Sequence, residues 1–280
     1  MYINTNTMAL NVLRNFQTHQ NQLAKSMERL STGYRINRAA DDPAGLAISE
    51  KMRYQINGLK QASRNIQDGI SLLQTAEGFM NEIHAMLQRM NVLANQAANG
   101  TYDDNDRNKL QLEFDQLREE IISIANGGQF NGIMLLNGDT AKDPNNNKKG
   151  LVLQIGSEAH DTLEMDMPNL QSLLGILNGL DLSTSAGAQQ AMGDLKKAVN
   201  DVSNERAKLG AYQNRLEHRN NFVLTYAENL TAAESRIRDA DMAEEMTNFV
   251  RANMLSQVSV SLLAQANAMS RQILKLLEIQ

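Results

Sequence analysis

The spacing of apolar residues predicts one very long helix between residues 43 and 99. One apolar column returns at every seventh position, and a second column runs three residues behind it, which is the seam of a coiled coil. Asp42 suits the N-cap, Pro43 the first turn and Gly100 the end of such a helix, which would be roughly 80 Å long. The two columns are Met52, Leu59, Ile66, Leu73, Met80, Leu87 and Ala94, and Ala62, Gly69, Ala76, Ile83, Met90 and Ala97.

A second long helix is predicted over about 186–238. Its apolar column has seven members at consecutive sevenfold steps, while its other column is mostly polar. We therefore predict that this helix packs against the first long helix. The apolar column is Leu195, Val202, Leu209, Leu216, Val223, Leu230 and Ile237, and the polar one is Arg206, Gln213, Asn220 and Glu234.

Three shorter helices are predicted over 5–34, 104–125 and 243–277. The first and the last alternate strong apolar positions with weak ones such as Gln20 and Ser259. Such a pair is too poor in apolar bulk for the core of a monomer, so we expect the two helices to meet each other and further copies of the chain. The expected self-assembly residues are Leu13, Phe16, Leu23, Met27, Leu30, Leu255, Leu262, Met269, Ile273 and Leu276. In the same seams, the first helix continues to Tyr34 and the last includes Ala266.

In the middle of the chain, the spacing of the apolar residues changes. Residues 126–150 resemble a loop, whereas 151–155 and 163–167 alternate with a period of two, which predicts a β-hairpin. A short helix is expected near 170–177. The predicted fold is mainly α: a long antiparallel, coiled-coil-like bundle with a small β-hairpin, plus terminal helices that pair in a discontinuous domain. We expect the terminal domain to comprise 1–42 and 240–280, and the bundle 43–239, with the hairpin near 150–168.

Composition and charge remove several classes of function. The chain has 280 residues, no cysteine, 4% aromatic residues and no apolar run of the length needed to span a membrane. Its start does not resemble a secretory signal peptide. The net charge is −5, yet residues 1–40 carry five basic side chains and one acidic, so we expect this segment to pack against acidic surface. A basic arm for nucleic acid is the alternative, but it would lack aromatic stacking partners.

No pattern of catalytic or metal-binding residues is present in the sequence. The four histidines are solitary, the stretch 139–150 lacks the spacing of a calcium loop, and no phosphate loop occurs. We expect no catalytic, cofactor-binding or metal site, and no enzyme activity.

Several short motifs at both ends of the chain resemble bacterial flagellin. They occur in the order that the family has, over roughly 1–140 and 185–280. They are 27–37 (MERLSTGYRIN), 41–45 (DDPAG), 62–65 (ASRN), 68–71 (DGIS), 129–132 (QFNG), 209–215 (LGAYQNR), 235–241 (SRIRDAD) and 263–267 (LAQAN).

The resemblance implies a structural subunit that polymerises into the flagellar filament and is secreted through the flagellar export channel. About 45 residues separate Asn137 from Thr184, so the large outer domains of longer family members would be absent. The implied partners are further copies, the flagellar cap and hook–filament junction proteins, and an export chaperone, with no nucleic acid and no membrane. The zinc protease motif of some longer members, His-Glu-x-x-His, is absent from the sequence.

Two further sites follow from the resemblance. The residues Asp41, Asp42, Pro43 and Gly45 would form the joint between the terminal helix and the rod, and Asp42 would also cap a helix. A Toll-like innate immune receptor reads a motif in some flagellins, and that motif falls here on Arg89, Leu93 and Glu113. Asn91 and Val92 depart from the usual Arg-Glu pair, and the alternative is that these residues pack subunits together.

Two other functions compete with a filament subunit. A hook–filament junction protein shares the design of the terminal helices. A secreted coiled-coil adhesin would need a binding domain for which the middle of the chain is too short.

Overall fold

The computed structural model describes residues 6–137 and 150–277, with side chains as far as Met269. The fold is mainly α, as predicted. The helices are α1 (Thr7–Thr32), α2 (Pro43–Ala98), α3 (Asp104–Gly127), α4 (Gln171–Leu177), α5 (Ser185–Arg238) and α6 (Met242–Leu277). The strands are β1 (Gln129–Phe130), β2 (Ile133–Met134), β3 (Leu151–Gln154) and β4 (Thr162–Met165).

The chain divides into two compact units. The terminal unit comprises the residues up to Tyr54 and those from Glu228 onward, and the central unit comprises Gln55–Ala227. The boundaries lie inside α2 and α5, so each long helix contributes to both units.

The apolar columns of α2 and α5 form the core of the central unit. From Leu59 to Ala97, every member of the two α2 columns is buried. From Leu195 to Val223, every member of the α5 column is buried as well. Phe114 and Ile121 of α3 are also fully enclosed. The sevenfold repeat therefore predicted the residues that pack this core.

Residues of the polar column of α5 contact α2. Within the central unit, the hydroxyl of Ser63 donates to Oδ1 of Asn220 at 2.8 Å. A nitrogen of Arg206 lies 3.6 Å from a carboxylate oxygen of Glu77. Such polar pairs fix the register of two helices whose apolar columns alone would tolerate sliding.

The predicted β-hairpin is present and lies against α2. β3 pairs antiparallel with β4, with Leu151 opposite Met165 and Gln154 opposite Thr162. The helix makes room for it with glycine: a Cβ added at Gly69 would lie 2.6 Å from Cδ2 of Leu153.

A second, smaller hairpin lies where the sequence predicted only a loop. β1 pairs with β2 through a turn at Asn131 and Gly132, whose φ angles are 50° and 81°. Asn-Gly is the preferred sequence for a two-residue turn with two positive φ angles. The strands have two residues each, too few for a visible period in the sequence. The rest of that predicted loop, 138–149, lies outside the described residues.

Arg107 closes the turn between α2 and α3. Its guanidinium donates to the carbonyl oxygens of Ala97 at 2.9 Å and Asn99 at 3.3 Å. It also pairs with Asp104 at 2.9 Å, and only 9% of Arg107 is exposed. Because the last carbonyls of a helix lack partners within it, this side chain satisfies the end of α2.

Candidate assembly surface

Both terminal helices begin at a well-defined cap, and α1 also ends at one. Oδ1 of Asn6 accepts the N–H of Ala9 at 3.0 Å at the start of α1, and Oδ1 of Asp241 accepts that of Ala243 at 2.9 Å at the start of α6. α1 ends at Gly33, which has a left-handed φ of 75°. This glycine stops the helix two residues before the predicted end and excludes Tyr34 from the helical seam.

α1 packs against α6 through small and polar side chains. Nε2 of Gln20 donates to Oγ of Ser256 at 2.8 Å, and Nδ2 of Asn6 donates to the carbonyl of Ala266 at 3.2 Å. The prediction that the large apolar positions form this seam is therefore wrong in part. Small side chains allow the two helices to approach closely, and so the weak positions face inward. The buried side chains of the pair are Ser26, Glu245, Ala252, Ser256 and Ser259.

Most of the large apolar side chains that the structure describes in this pair are exposed. α1 and α6 carry thirteen of the twenty-two large apolar side chains that are exposed in the described residues. Phe16, Leu23 and Leu30 are half-buried. The side chains of Ile273 and Leu276 lie outside the described residues. Five of the predicted self-assembly residues are exposed: Leu13, Met27, Leu255, Leu262 and Met269.

The exposed face of α6 is continuous over several turns. Met246, Val250, Met254 and Leu255 line one open groove. Val258 and Leu262 continue the exposed apolar face toward the C-terminal end. Monomeric proteins rarely expose so extended an apolar face, and faces of this kind are typical of interaction surfaces.

The basic excess of the N-terminal segment is largely neutralised within the terminal unit. Lys25 lies 2.7 Å from Asp41, Arg29 lies 3.3 Å from Glu245, and Arg38 lies 3.0 Å from Glu28. Arg35 donates to the carbonyl of Ile237 at 2.6 Å. These side chains therefore serve the fold.

The predicted joint is a compact hydrogen-bonded turn before α2. Oδ1 of Asp42 accepts the N–H of Gly45 at 2.9 Å, so Asp42 is the N-cap. Gly45 is required there because an added Cβ would lie 2.9 Å from Cδ1 of the buried Ile36. Pro43 is exposed at the first position of α2.

Asp41 organises the connector before this cap. The hydrogen bond from Lys25 is the main cause that lowers the pKa of Asp41 to about 2; burial opposes it, and the backbone N–H groups of Arg38 and Asn37 add to it. The side chain of Asp41 is only 17% exposed.

A cluster around Tyr34 holds the connector, and the sequence did not reveal it. Two guanidinium groups contact the Tyr34 ring, those of Arg53 at 5.3 Å and Arg238 at 5.1 Å from its centre. Arg53 pairs with Glu234 at 3.0 Å, and Arg238 pairs with Glu50 at 2.6 Å. Two ion pairs thus join the N-terminal end of α2 to the C-terminal end of α5, and both of their cations contact the ring. Only the polar position of Glu234 in the α5 column hinted at this arrangement.

The three residues of the receptor motif are not equally accessible. Arg89 pairs with Glu113 at 2.8 Å, and their side chains are 52% and 44% exposed. Leu93 is fully buried in the core of the central unit. The expectation that Leu93 offers a surface contact is therefore corrected, because Leu93, next to the column residue Ala94, points into the core.

Comparison with known proteins decides the family. Residues 3–141 match the family described as bacterial flagellin N-terminal helical region, and residues 192–277 match the bacterial flagellin C-terminal helical region. The chain belongs to the bacterial flagellin family. Flagellin of Bacillus subtilis is 47% identical over an alignment of 305 positions, which covers 99% of this chain and 100% of that protein. Flagellin of Halalkalibacterium halodurans is 48% identical over 279 residues, with the same coverage.

A solved structure agrees with this assignment. The crystal structure of Bacillus cereus flagellin is 33% identical to this flagellin, with a TM-score of 0.50. The match covers 61% of this chain and 94% of that one.

This flagellin is therefore a structural subunit of the extracellular flagellar filament and not an enzyme. The hook–filament junction alternative is not favoured, because flagellins match over the whole chain. Among residues 6–137 and 150–277, no helix has the length and apolarity needed to cross a membrane.

Proposed function

We propose that the outward face of the α1–α6 pair is the surface through which copies of this flagellin polymerise. The observation that carries the proposal is the distribution of side chains in the pair: the fully buried ones are small or polar, whereas thirteen large apolar ones are exposed. In a pair that stays monomeric, the larger apolar side chains would be expected in the seam. Ile273 and Leu276 are included on the sequence pattern alone.

The free energy available from this face suits a cooperative polymer. Fully burying one large aliphatic side chain contributes ~2 kcal/mol, and a half-exposed one contributes about half of that. Five such residues therefore supply on the order of 5 kcal/mol per copy before the cost of association. Such a weak contact becomes effective when each copy meets several neighbours.

The test is the critical concentration for polymerisation. The double variant Leu255→Ala and Leu262→Ala should raise it at least tenfold, while leaving the helical circular dichroism of the monomer unchanged. Gln265→Ala, an exposed polar position on the same helix, is the matched control and should change it less than twofold. An unchanged critical concentration in the double variant would contradict the proposal.

The residues Asp41, Asp42, Pro43 and Gly45 form the proposed joint between the terminal helix and the rod. The hydrogen-bonded turn at Asp42 and the ion pair of Asp41 with Lys25 support a connector of defined geometry. With this joint as the boundary, the proposed terminal domain is 1–42 and 240–280 and the proposed bundle is 43–239, whereas the compact units of the structure divide within the two long helices, after Tyr54 and before Glu228.

The same apolar face suggests how the subunit is handled before assembly. An exposed stripe of this size requires protection in the cell, which an export chaperone would provide. The flagellar cap and the hook–filament junction proteins would meet the subunit at the two ends of the filament. Binding of the double variant to the purified chaperone tests whether the chaperone covers this face. Equal affinities for the variant and the wild type would show that the chaperone binds elsewhere.

A Toll-like receptor is a further proposed partner, through Arg89 and Glu113. Both side chains are exposed on neighbouring helices and form one ion pair. Arg89→Ala should lower the signal in a receptor reporter assay, whereas Lys109→Ala on the same helix as Glu113 should not. An undiminished signal from Arg89→Ala would leave these residues a role in packing subunits only.

A further inference from the structure

The exposed methionines of this chain are concentrated on the two terminal helices. The chain has fifteen methionines and no cysteine, so methionine supplies all of its sulfur. Seven methionines are exposed in the described residues, and six of them lie on α1 or α6. Their exposed fractions on these helices run from 47% at Met242 to 68% at Met8. The seventh is Met134 of β2, in the central unit. The exposed sulfur therefore lies mainly on the pair that is proposed to polymerise.

Three of these methionines belong to one apolar row on α6. Every fourth residue from Met242 to Leu262 is a large apolar side chain that is exposed. Residues four apart on a helix are neighbours on its surface, so the six side chains form a continuous ridge. This α6 row is Met242, Met246, Val250, Met254, Val258 and Leu262. Half of its members carry a thioether, and Met246 and Met254 also line the open groove of this helix.

The methionines of the central core are shielded in the same molecule. Met80, Met90 and Met165 have no exposed surface. Because a dissolved oxidant reacts first with the side chains that it can reach, the α6 row reacts before the core does. Mild oxidation of the folded subunit therefore changes the α6 row and leaves the packing of the core as it is.

Oxidation replaces an apolar sulfur with a polar group. A peroxide converts the thioether of methionine to a sulfoxide. The sulfur attacks one oxygen of hydrogen peroxide, the O–O bond breaks and an S–O bond forms. The sulfur loses two electrons, and the second oxygen, which is reduced, leaves as water with both protons of the peroxide. The product carries a polar, hydrogen-bond-accepting oxygen.

This oxygen has different consequences in the monomer and in the polymer. In the monomer the α6 row faces water, which hydrates the sulfoxide, so the fold loses no contact. In the polymer the row is covered, and a polar oxygen buried in an apolar contact costs free energy. Oxidation should therefore oppose polymerisation without unfolding the subunit.

We propose that Met242, Met246 and Met254 form a reversible oxidation site that controls polymerisation. A peroxide converts the subunit to a form that stays monomeric, and reduction of the sulfoxides restores assembly. The reduction consumes a dithiol, which becomes a disulfide while the sulfoxide oxygen leaves as water. The inference rests on the proposed assembly face of α1 and α6, to which it adds a chemical control.

The first test follows oxidised wild-type chains into the polymer. Monomer lightly oxidised with dilute hydrogen peroxide is allowed to polymerise, and peptide mass spectrometry measures the sulfoxide at each methionine in the filaments and in the supernatant. Sulfoxide at Met242, Met246 and Met254 should be depleted about tenfold from the filaments, as expected for a polar group left unsatisfied in an interface. Sulfoxide at Met134 is the internal control and should be distributed equally. Equal distribution at all four positions, or equal depletion at all four, would overturn the proposal.

The second test removes the sulfur. Leucine is apolar and of similar size, so the triple variant Met242→Leu, Met246→Leu and Met254→Leu should polymerise within about twofold of wild type before treatment. After peroxide treatment the critical concentration of wild type should rise about tenfold, and that of the triple variant less than about threefold. Met134→Leu is the control and should stay as sensitive as wild type. A triple variant that is as sensitive as wild type would overturn the proposal.

Reduction separates the sulfoxides from other oxidative damage. A methionine sulfoxide reductase with a dithiol should return the critical concentration of oxidised wild type to within about twofold of its original value. A loss of assembly that reduction does not reverse would overturn the proposal. The untreated double variant Leu255→Ala and Leu262→Ala distinguishes the two proposals. An unchanged critical concentration there contradicts the assembly face itself, whereas a raised one together with equal distribution of the sulfoxides overturns only the oxidation site.

Discussion

The guanidinium of Arg238 lies over the ring of Tyr34 at 5.1 Å, and Arg53 lies against the ring at 5.3 Å. The hydroxyl of Tyr34 accepts a hydrogen bond from Arg53 at 2.9 Å. Next to the ring, the N–H of Arg35 donates to the carbonyl of Arg238, and the N–H of Ala240 donates to the carbonyl of Gly33. Residues from α2, α5 and the connector after α1 thus meet at one side chain within the terminal unit.

Removal of the Tyr34 ring should loosen the terminal unit. We expect Tyr34→Ala to lower the free energy of unfolding by about 2–3 kcal/mol, because two stacked cations and one hydrogen bond are lost. Tyr34→Phe keeps the stacking and should cost about 1 kcal/mol. Urea unfolding followed by circular dichroism provides the measurement. Tyr54→Ala is the control, since Tyr54 is 71% exposed, and an equal loss there would show that the cluster has no special role.

Loss of the N-cap at Asp42 should weaken the start of α2. Asp42→Ala is expected to cost ~1 kcal/mol of monomer stability, whereas Asp42→Asn, whose side chain also accepts the N–H of Gly45, should cost less. If Asp42→Ala lowers stability but leaves the critical concentration unchanged, the cap alone explains this residue and the joint has no separate role in assembly.

Acid should destabilise the connector through Asp41. Its folded pKa of about 2 is below the ordinary value of 3.8, so the carboxylate stabilises the folded state above that ordinary value. This contribution is lost as the pH falls from 3.8 towards 2, and it amounts to about 1–2 kcal/mol, given that Lys25 is half exposed. Unfolding measured between pH 5 and pH 2 should show a smaller loss in Asp41→Asn than in wild type. Lys25→Met should likewise reduce the loss of stability in acid. If stability falls with pH as steeply in both variants as in wild type, Asp41 is not the source of the acid sensitivity.

The buried Arg107 should matter far more than its exposed neighbour. Arg107→Met leaves two carbonyl groups at the end of α2 without this donor and should cost about 2–3 kcal/mol. Lys109 forms an exposed pair with Asp106, with side chains 70% and 52% exposed, so Lys109→Ala should cost less than about 0.5 kcal/mol. Thermal unfolding of the two variants would reveal the difference, and equal melting temperatures would refute it.

The sequence by itself determined the long helices, the start of α2 and the core of the central unit. A sevenfold apolar repeat is a local property of the chain, and Asp42 and Pro43 mark the start of α2 through local backbone preferences. The same holds for the period of two that predicted the β3–β4 hairpin. These features need no knowledge of distant residues, and so they could be derived without the structure. The expectation that Gly100 ends α2 in a left-handed conformation is wrong, because the helix ends at Ala98 and Gly100 has no positive φ.

Only the tertiary structure decided which face of each terminal helix is inside. The apolar residues of α1 and α6 follow a helical period in the sequence, but the period does not say whether the partner is the same chain or another copy. The structure places Ser256 and Ser259 in the seam and leaves Leu255 and Leu262 on the surface, because small side chains allow the closest approach. Likewise, the contacts of Tyr34 with Arg53 and Arg238 join residues far apart in the chain, and no local pattern records them.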